Sequence, residues 1–427
     1  MIDVLKKFDM DELLNCMHCG FCLPACPTFQ QTGLETYSPR GRIALMKGVA
    51  ESKLPIDEEF EHNMYACLGC RACETACPAG VKYGELIETA REVVEDTKKA
   101  AGRQSFGRRI VLKRLFMHPR RMKLTGRALW ALQASGLQEL ASKTGLVQIL
   151  PREMTEMQVA VDRVASPADR KKRTRVVKAE QRAPVARKVG LFTGCIMDVM
   201  FYETNQATAR LLSKAGCDVV FVDQQQCCGA LHAHSGEKAD AKVLAKQNIE
   251  AFEALDLDVI VNNAGGCGAA LKEYHHWLKD DPVWADRARN FVAKVRDISE
   301  LLTTLPLQVT KTLNARVTYQ DSCHLAHGQG VRKQPRDLIR SIPGVEYIEM
   351  ENADGCCGSA GIYNITNFDM SMRVLDDKMN HVADAKASIV VTANPGCLLQ
   401  MKKGIIRAGL EGRMEAVHIV DLLDRLV

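Results

Sequence analysis

Short apolar runs alternate with amphipathic stretches throughout the second half of the chain. Six runs have the length and content of β-strands: VGLFT (189–193), DVVFVD (218–223), DVIVNN (258–263), ARVTYQD (315–321), VEYIEM (345–350) and SIVVTAN (388–394). The segments between them repeat their apolar residues at helical spacing. Strands that alternate with helices favour a largely parallel sheet covered by helices. The pattern therefore predicts α/β units from residue 189 onward.

The α/β region is duplicated, as its cysteines indicate. Each copy has a single cysteine, then a Cys-Cys-Gly triplet, then a final cysteine: Cys195, Cys227, Cys228 and Cys267 in the first, and Cys323, Cys356, Cys357 and Cys397 in the second. The intervals are 32 and 39 residues in the first copy and 33 and 40 in the second. The segments VRDISELL (295–302) and VHIVDLL (417–423) also correspond. We predict two CCG repeats, over 189–305 and 306–427.

Helical patterns prevail in the first 188 residues. Ser38-Pro39 has the sequence of an N-cap followed by proline at the first helical position, and it opens a helix through RGRIALMKGV. GELIETAREVVED (84–96) has apolar residues at helical spacing. Segment 104–118 is amphipathic and basic, whereas 163–188 contains turn residues and is predicted to be a linker or exposed arm. The pattern predicts a helical domain over 1–97 and a basic helical linker region over 98–188.

Composition narrows the class of protein. The chain has 427 residues, of which 46% are hydrophobic and 26% charged, as expected for packed domains. No run of about 18 apolar residues predicts a membrane span, and the N-terminus lacks the apolar segment of a secretory signal. We therefore expect a cytoplasmic, reducing environment. In that environment 17 cysteines indicate metal or redox chemistry rather than disulfides.

The positive charge is local. Residues 98–127 hold eleven Lys and Arg and no acid, and 163–188 hold ten against two acids, although the whole chain carries only +5. Such a surface suits an acidic partner or an anionic membrane face, and a solvated basic face is the alternative. The rest of the chain is acidic, so the distribution does not indicate nucleic-acid binding.

Two cysteine quartets stand out in the first hundred residues. Each follows the spacing C-x2-C-x2-C-x3-C-P of bacterial two-cluster ferredoxins, in which the fourth cysteine binds the other cluster. One tight loop can bring three thiolates to three irons, so the fourth ligand comes from elsewhere. Zinc would favour two separate CxxC pairs. We predict two [4Fe–4S] clusters, one held by Cys16, Cys19, Cys22 and Cys77, the other by Cys67, Cys70, Cys73 and Cys26.

Three side chains near the first quartet raise further questions. His18 lies between two predicted ligands and is expected to be a spacer, because thiolates already account for every iron. Arg40 and Arg42 are within reach of hydrogen bonds to cluster sulfurs, which would raise the potential. A solvated helix face is the expectation that we adopt for both arginines.

The cysteines of the CCG repeats fall just past the ends of predicted strands, where open parallel sheets place their sites. A duplicated set at such positions predicts a further redox or cluster site at Cys195, Cys227, Cys228, Cys267, Cys323, Cys356, Cys357 and Cys397. A further cluster, a redox dithiol, a docking site and buried structural thiols all remain open. His324 is either a ligand, a proton relay or a satisfied imidazole. The sequence has no Gly-rich nucleotide motif and no hydrolase motif, so we expect neither flavin nor NAD in this chain and assign no catalytic residue.

Taken together, these features resemble the iron–sulfur subunits of bacterial glycolate oxidase, also called glycolate dehydrogenase. The resemblance is carried by NCMHCGFCLPACPTFQ, SPRGRIALMKGV, CLGCRACETACPAGVKY, CCGSAGIYNIT and IVVTANPGC. It spans nearly the whole chain and is weakest over 100–185. The fold it implies is a multidomain α+β and α/β chain: a helical ferredoxin-like domain with two clusters, the basic helical linker and the duplicated α/β repeats.

The resemblance also implies a function. FAD-containing subunits would oxidise glycolate to glyoxylate, and this type of chain would pass the electrons to a quinone or similar acceptor, without being catalytic alone. The implied location is the cytoplasm, or the cytoplasmic face of the inner membrane as a peripheral contact. Alternatives are the equivalent subunit of a glycerol-3-phosphate or lactate dehydrogenase, a heterodisulfide-reductase-like thiol redox protein, and a zinc-stapled interaction module.

The CCG repeats are also similar to those of heterodisulfide reductases, which bind noncubane clusters. Those repeats end in CxxC. Here Gly-Ala-Ala follows Cys267 and Leu-Leu-Gln follows Cys397. The departure argues against a noncubane cluster.

Overall fold

A computed structural model describes residues 7–137, 144, 162–180 and 187–427. The N-terminal part is helical, with a 3-10 turn at Glu35–Tyr37. The Ser38 hydroxyl accepts a hydrogen bond from the Gly41 amide at 3.0 Å, which confirms the predicted N-cap. The helices here are Met10–Leu14, Pro27–Thr32, Pro39–Ala50, Glu58–Tyr65, Ala72–Thr75 and Tyr83–Ala100.

The linker contributes helical segments that pack on the first CCG repeat. Helix Phe106–Arg109 continues into a π-helical turn, Ile110–Phe116, and helix Pro119–Ala134 follows. Phe116 and Met122 are buried in the apolar core of the first repeat. Helix Pro167–Lys171 comes after the part of the linker that lies outside the described residues. No helix within the described ranges is long and apolar enough to cross a bilayer.

The first repeat contains a five-stranded sheet in the order β1-β3-β2-β4-β5. Its pairs are parallel except for β1 with β3, which are antiparallel. The strands are β1 (Val176–Val177), β2 (Arg187–Phe192), β3 (Cys217–Phe221), β4 (Val259–Asn262) and β5 (Val295–Asp297). The helices are Ile196–Met200, Tyr202–Lys214, Ala230–His234, Lys238–Glu253, Gly265–Trp277, Ala285–Lys294 and Ile298–Leu302.

The second repeat contains a four-stranded, fully parallel sheet in the order β7-β6-β8-β9. Its strands are β6 (Ala315–Tyr319), β7 (Val345–Tyr347), β8 (Ile389–Thr392) and β9 (Glu415–His418). A π-helical turn lies at His324–Gly328, and the helices are Lys333–Arg340, Tyr363–Thr366, Phe368–Asp384, Pro395–Arg407 and Ile419–Asp424. The predicted duplicated α/β architecture is confirmed, because the order β3-β2-β4-β5 in the first sheet corresponds to β7-β6-β8-β9 in the second and all of these pairs are parallel.

The two repeats share one apolar core. Val189 and Leu191 of β2 and Val317 and Tyr319 of β6 belong to the same buried cluster. Burial of such side chains contributes about 25 cal/mol per Å² of apolar surface, so the shared core stabilises the two repeats as one body. Their strand ends are thereby held in a fixed arrangement.

One local expectation needs correction, and two strands were missed by the sequence pattern. Segment 163–188 is not an exposed arm throughout, because the guanidiniums of Arg170 and Arg173 lie 5.0 and 4.5 Å from the ring centre of Tyr202 and β1 pairs with β3. Strands β5 and β9 were not predicted, although their segments were recognised as equivalent. The predicted domain boundaries stay predictions. Helix Tyr83–Ala100 runs through the boundary at 97, and β2 begins two residues before 189.

Candidate metal and redox site

The two quartet loops have the same backbone turns. His18 and Gly69, each two residues after the first cysteine of its loop, have φ of 55° and 64°. Gly20 and Arg71, each four residues after it, have φ of 91° and 66°. Left-handed residues curl the chain tightly, and only glycine adopts them without steric cost. His18 therefore occupies a turn position, in keeping with a spacer.

The loops enclose two cavities lined by cysteines. The first has about 440 Å³ of empty space, part of it open to solvent. The second has about 290 Å³. The first is lined by Cys16, Cys19, Cys22, Cys73 and Cys77, and the second by Cys26, Cys67, Cys70 and Cys73. The last cysteine of each quartet thus faces the cavity of the other loop.

This donor set fits iron–sulfur clusters. Soft thiolates suit such clusters, and a cubane spreads its four ligands over four irons. Within the described residues, no three His, Cys, Asp or Glu side chains are grouped so as to hold a single metal ion. Apolar side chains, among them Ile43, Val81 and Tyr83, complete the walls of the first cavity.

The two cavities differ in exposure. Cys26, Cys67, Cys70 and Cys73 are all buried. In the other set Cys19 is exposed and its companions are half-buried. Leu14, Met17 and Phe21 next to Cys19 are exposed by 58%, 67% and 67%. One cavity therefore lies at the protein surface and the other lies inside.

The expectation that Arg42 is solvated is wrong. Its side chain is fully buried and donates to Asn63 O at 2.8 Å, Tyr37 O at 2.8 Å and Thr28 Oγ1 at 3.2 Å. The guanidinium is enclosed by protein because three helical segments, Pro27–Thr32, Glu35–Tyr37 and Glu58–Tyr65, each supply one acceptor. Arg40, in contrast, is partly exposed and pairs with Glu35 at 2.7 Å.

A second buried arginine, Arg91, was not anticipated from the sequence. It donates to Met64 O and Cys67 O, and also to His234 O of the first repeat at 2.8 Å. Burial alone would raise the pKa of Cys67, but the Arg42 and Arg91 guanidiniums lower it. Arg91 lies four residues after Ile87 on the apolar face of its helix. A charged residue on an apolar helix face indicates a buried charge, so the sequence did contain a signal for the burial of Arg91.

The first CCG repeat gathers its four cysteines. Cys195 Sγ lies 3.5 Å from Cys227 Sγ, and Cys228 contacts Cys267. Hydrogen bonds from Cys195 and Cys228 lower the pKa of Cys227, with His232 contributing.

Polar side chains donate hydrogen bonds to the backbone carbonyls of the Cys-Cys pair in this repeat. Asn248 donates to Cys227 O at 3.0 Å, and the Tyr274 hydroxyl donates to Cys228 O at 2.9 Å. The glycine of the triplet, Gly229, has a φ of 86°. The pair is therefore fixed by its backbone, which leaves the thiols to face their partners.

The second repeat gathers its cysteines in the same way. Cys323 contacts Cys356, and Cys357 contacts Cys397. Gly358, with a φ of 84°, donates its amide to Cys356 Sγ at 3.4 Å. The structure thus brings together all eight cysteines predicted as a further site, four in each repeat.

Two residues outside the two sets of four cysteines remain to be placed, His324 and Cys217. The Nδ1 atom of His324 lies 3.5 Å from Cys323 Sγ, and its buried Nε2 has no hydrogen-bond partner among the described residues. The interpretation of His324 as a satisfied imidazole is therefore wrong for that nitrogen. Cys217 is buried within β3 and belongs to neither set of CCG cysteines.

Comparison with protein families matches every part of this architecture. Residues 12–81 match the 4Fe-4S dicluster domain, and 103–160 match the linker region of the glycolate oxidase iron-sulfur subunit. Residues 189–272 and 317–402 each match the cysteine-rich CCG domain. The predicted N-terminal iron–sulfur domain and the two repeats are thereby confirmed.

Three curated relatives place the chain more closely. The probable glycolate oxidase iron-sulfur subunit of Bacillus subtilis (strain 168) is 51% identical over 422 residues, which cover 98% of this chain and 95% of that protein. The glycolate oxidase iron-sulfur subunit of Escherichia coli (strain K12) is 31% identical, over 98% of this chain and 96% of that protein. Lactate utilization protein A of Halalkalibacterium halodurans is 34% identical but covers 56% of this chain and 96% of its own length. The chain belongs to the family of glycolate oxidase iron–sulfur subunits.

Proposed function

We propose that this chain transfers electrons within a glycolate-oxidising complex. FAD-containing partner subunits would oxidise glycolate to glyoxylate, and this chain would carry the electrons toward a quinone or similar acceptor. The observation that carries the proposal is the pair of cysteine-lined cavities whose last cysteines are exchanged between loops. Two full-length relatives named as iron–sulfur subunits of glycolate oxidase support the choice of complex.

The proposed ligands are those predicted from the spacing. Cys16, Cys19, Cys22 and Cys77 would hold the surface cluster, and Cys67, Cys70, Cys73 and Cys26 the inner one. When bound, [4Fe–4S] clusters accept and release single electrons. The buried guanidinium of Arg42 would offset the negative charge that the inner thiolates Cys26 and Cys67 bring into the interior.

The basic linker is the proposed membrane-facing surface. Of the eleven basic residues in 98–127, four pair with acids, such as Arg108 with Glu95. In the described part of the chain, no acid pairs with the other seven: Arg103, Arg109, Arg114, Arg120, Arg121, Lys123 and Arg127. Exposed Phe106 (78%) and Leu124 (64%) lie among them. Each Lys or Arg near anionic lipid contributes about 1 kcal/mol, so binding to anionic vesicles should weaken with salt.

The experiment that tests the relay compares two cysteine variants of the assembled complex. Cys19→Ser should lose electron transfer to a soluble quinone analogue, while glycolate still reduces the partner flavin. Cys217→Ser is the control, since that thiol is buried within β3, and it should leave both reactions unchanged. Loss of flavin reduction in an intact Cys19→Ser complex, or normal transfer to the quinone, would contradict the relay.

The substrate is tested on the same complex. Glycolate should reduce the partner flavin faster than lactate or glycerol 3-phosphate. A preference for lactate would favour the alternative suggested by the lactate utilization relatives. Flavin bound to this chain when it is purified alone would contradict the assignment of flavin to the partner.

A further inference from the structure

Among the described residues, Cys70 of the inner quartet loop shares a buried cluster with cysteines of the second CCG repeat and not with those of the first. Cys70 packs with Cys356 of the second repeat in one small buried cluster. Cys356 in turn contacts Cys323. All three belong to, or pack against, one small buried cluster that includes Leu68 and Val374. A cysteine that lines the inner cavity and a cysteine of the second repeat therefore lie in the same buried cluster.

Hydrogen bonds from the second repeat hold this contact in place. The Tyr363 hydroxyl donates to Ala66 O, the residue before Cys67, at 2.9 Å. Asn367 Nδ2 donates to Tyr65 O at 3.5 Å. These contacts fix the segment that leads into the inner loop. The alignment of Cys70 with Cys356 is therefore a built feature of the domain interface.

The equivalent cysteines of the first repeat have a different neighbour. Cys227 and Cys228 belong to the buried cluster that contains Phe116 and Met122 of the linker. Their neighbour His232 shares a hydrogen bond of 3.0 Å with Leu112 O, also in the linker. The first repeat also contacts the N-terminal domain: Arg71 of the inner quartet loop pairs with Glu273, and Arg91 donates to His234 O. In the part of the chain that the structure describes, these contacts do not involve the cysteines of the first repeat. The two sets of CCG cysteines therefore correspond in sequence but pack against different parts of the chain.

We infer that electrons leave the inner cluster through the second CCG repeat, by the contact between Cys70 and Cys356. The surface cavity beside exposed Cys19 is then the side that faces the partner flavoprotein. This inference rests on the proposed function and gives the relay a direction. It also gives the two repeats different roles, with Cys323, Cys356, Cys357 and Cys397 forming the site that follows the inner cluster.

The proposed step moves one electron and neither forms nor breaks a covalent bond. One electron would leave the iron–sulfur cluster bound by Cys70 and enter an iron–sulfur cluster held by Cys323, Cys356, Cys357 and Cys397, because free thiols alone cannot accept a single electron. The reduced flavin of the partner replaces the first electron, and a quinone takes it from the chain. Two such events are needed for each glycolate, since its oxidation releases two electrons.

The test exploits the duplication, which provides a matched control. Cys356→Ser and Cys227→Ser change equivalent cysteines in the two repeats, and both are made in the full chain purified without oxygen. Potentiometric EPR of Cys356→Ser should show an altered signal or midpoint potential for one of the two cubanes. Reoxidation of the reduced protein by a quinone analogue should slow by about tenfold or more, equivalent to about 1.4 kcal/mol in the barrier. Cys227→Ser should leave both cubane signals as they are in the unaltered chain.

A third variant separates the electron route from packing. Tyr363→Phe removes the hydrogen bond to Ala66 O at the same interface but keeps the buried ring and every cysteine, so it should slow reoxidation much less than Cys356→Ser does. Equal effects of Cys356→Ser and Cys227→Ser, or an effect of Tyr363→Phe as large as that of Cys356→Ser, would overturn the inference. Absence of cubane signals from the unaltered chain would instead overturn the proposed function itself.

Discussion

The burial of Arg42 leads to a prediction about both stability and redox potential. Replacing it with methionine keeps most of the volume and removes the charge and all of its hydrogen bonds. Tyr37 O keeps a donor, because Thr28 Oγ1 also donates to it at 2.7 Å. Asn63 O loses the Arg42 donor, and an unsatisfied buried carbonyl costs about 1–3 kcal/mol.

The lost charge adds to this cost. Removing one partner of a buried ion pair typically costs about 3–5 kcal/mol, and the Arg42 guanidinium lies near the thiols of Cys26 and Cys67. We expect Arg42→Met to lower the free energy of unfolding by about 4 kcal/mol. The inner cluster should also become harder to reduce, because a nearby positive charge stabilises the reduced form.

The assay is urea denaturation of the anaerobic protein, followed by the visible absorbance of the clusters and by circular dichroism. Arg40→Met is the control, since a surface pair such as Arg40 with Glu35 contributes at most about 1 kcal/mol. Arg42→Lys should leave the potential of the inner cluster nearly unchanged, because lysine retains the positive charge. It should still lower the free energy of unfolding, because lysine lacks the planar set of donors that binds three acceptors. If Arg42→Met and Arg40→Met unfold at the same urea concentration with full iron content, the reasoning about buried charge is refuted.

Two further predictions concern the interfaces between domains. His418 is buried, donates from Nε2 to Asn263 O at 2.9 Å and accepts from Val420 N at 3.2 Å, and burial lowers its pKa to about 4. Its contribution to stability is therefore present above its ordinary pKa of 6.5 and is lost as the pH falls toward 4, to a limit of about 3 kcal/mol. His418→Gln should flatten this part of the stability profile between pH 7 and 4, and an unchanged slope would contradict the assignment. Gly236 has a φ of 74°, and a Cβ atom there would lie 2.4 Å from Arg91 O. Gly236→Ala should therefore lower the melting temperature more than Gly412→Ala, which has the same φ but no atom within 4 Å. Equal losses would mean that the approach of Gly236 to Arg91 is unimportant.

The sequence predicted the parts of the site that depend on local spacing. The two quartets follow from intervals of two and three residues, and the CCG cysteines from their positions after strands. Parallel strands end at a common edge, so the gathering of four cysteines in each repeat was predictable from the order of elements. The N-cap at Ser38 was likewise a local signal.

The remaining features depend on contacts between distant segments. Arg42 finds its acceptors in three other helical segments, so its burial could not be inferred from the helix that carries it. Strands β5 and β9 continue directly into the helices Ile298–Leu302 and Ile419–Asp424, so no turn residues separate strand from helix in the sequence. The packing of Cys70 with Cys356 depends on how the N-terminal domain packs against the second repeat. The hydrophobic periodicity of the sequence contains no information about that packing.

The most direct test of the account is an analysis of iron, acid-labile sulfide and EPR on the chain purified without oxygen. The account predicts a brown protein with at least about eight irons and as many sulfides per chain, and EPR signals from two interacting [4Fe–4S] clusters. About twelve or more irons would place a further cluster in the CCG repeats. A folded preparation that supports electron transfer from its partner and contains no iron would contradict the central claim.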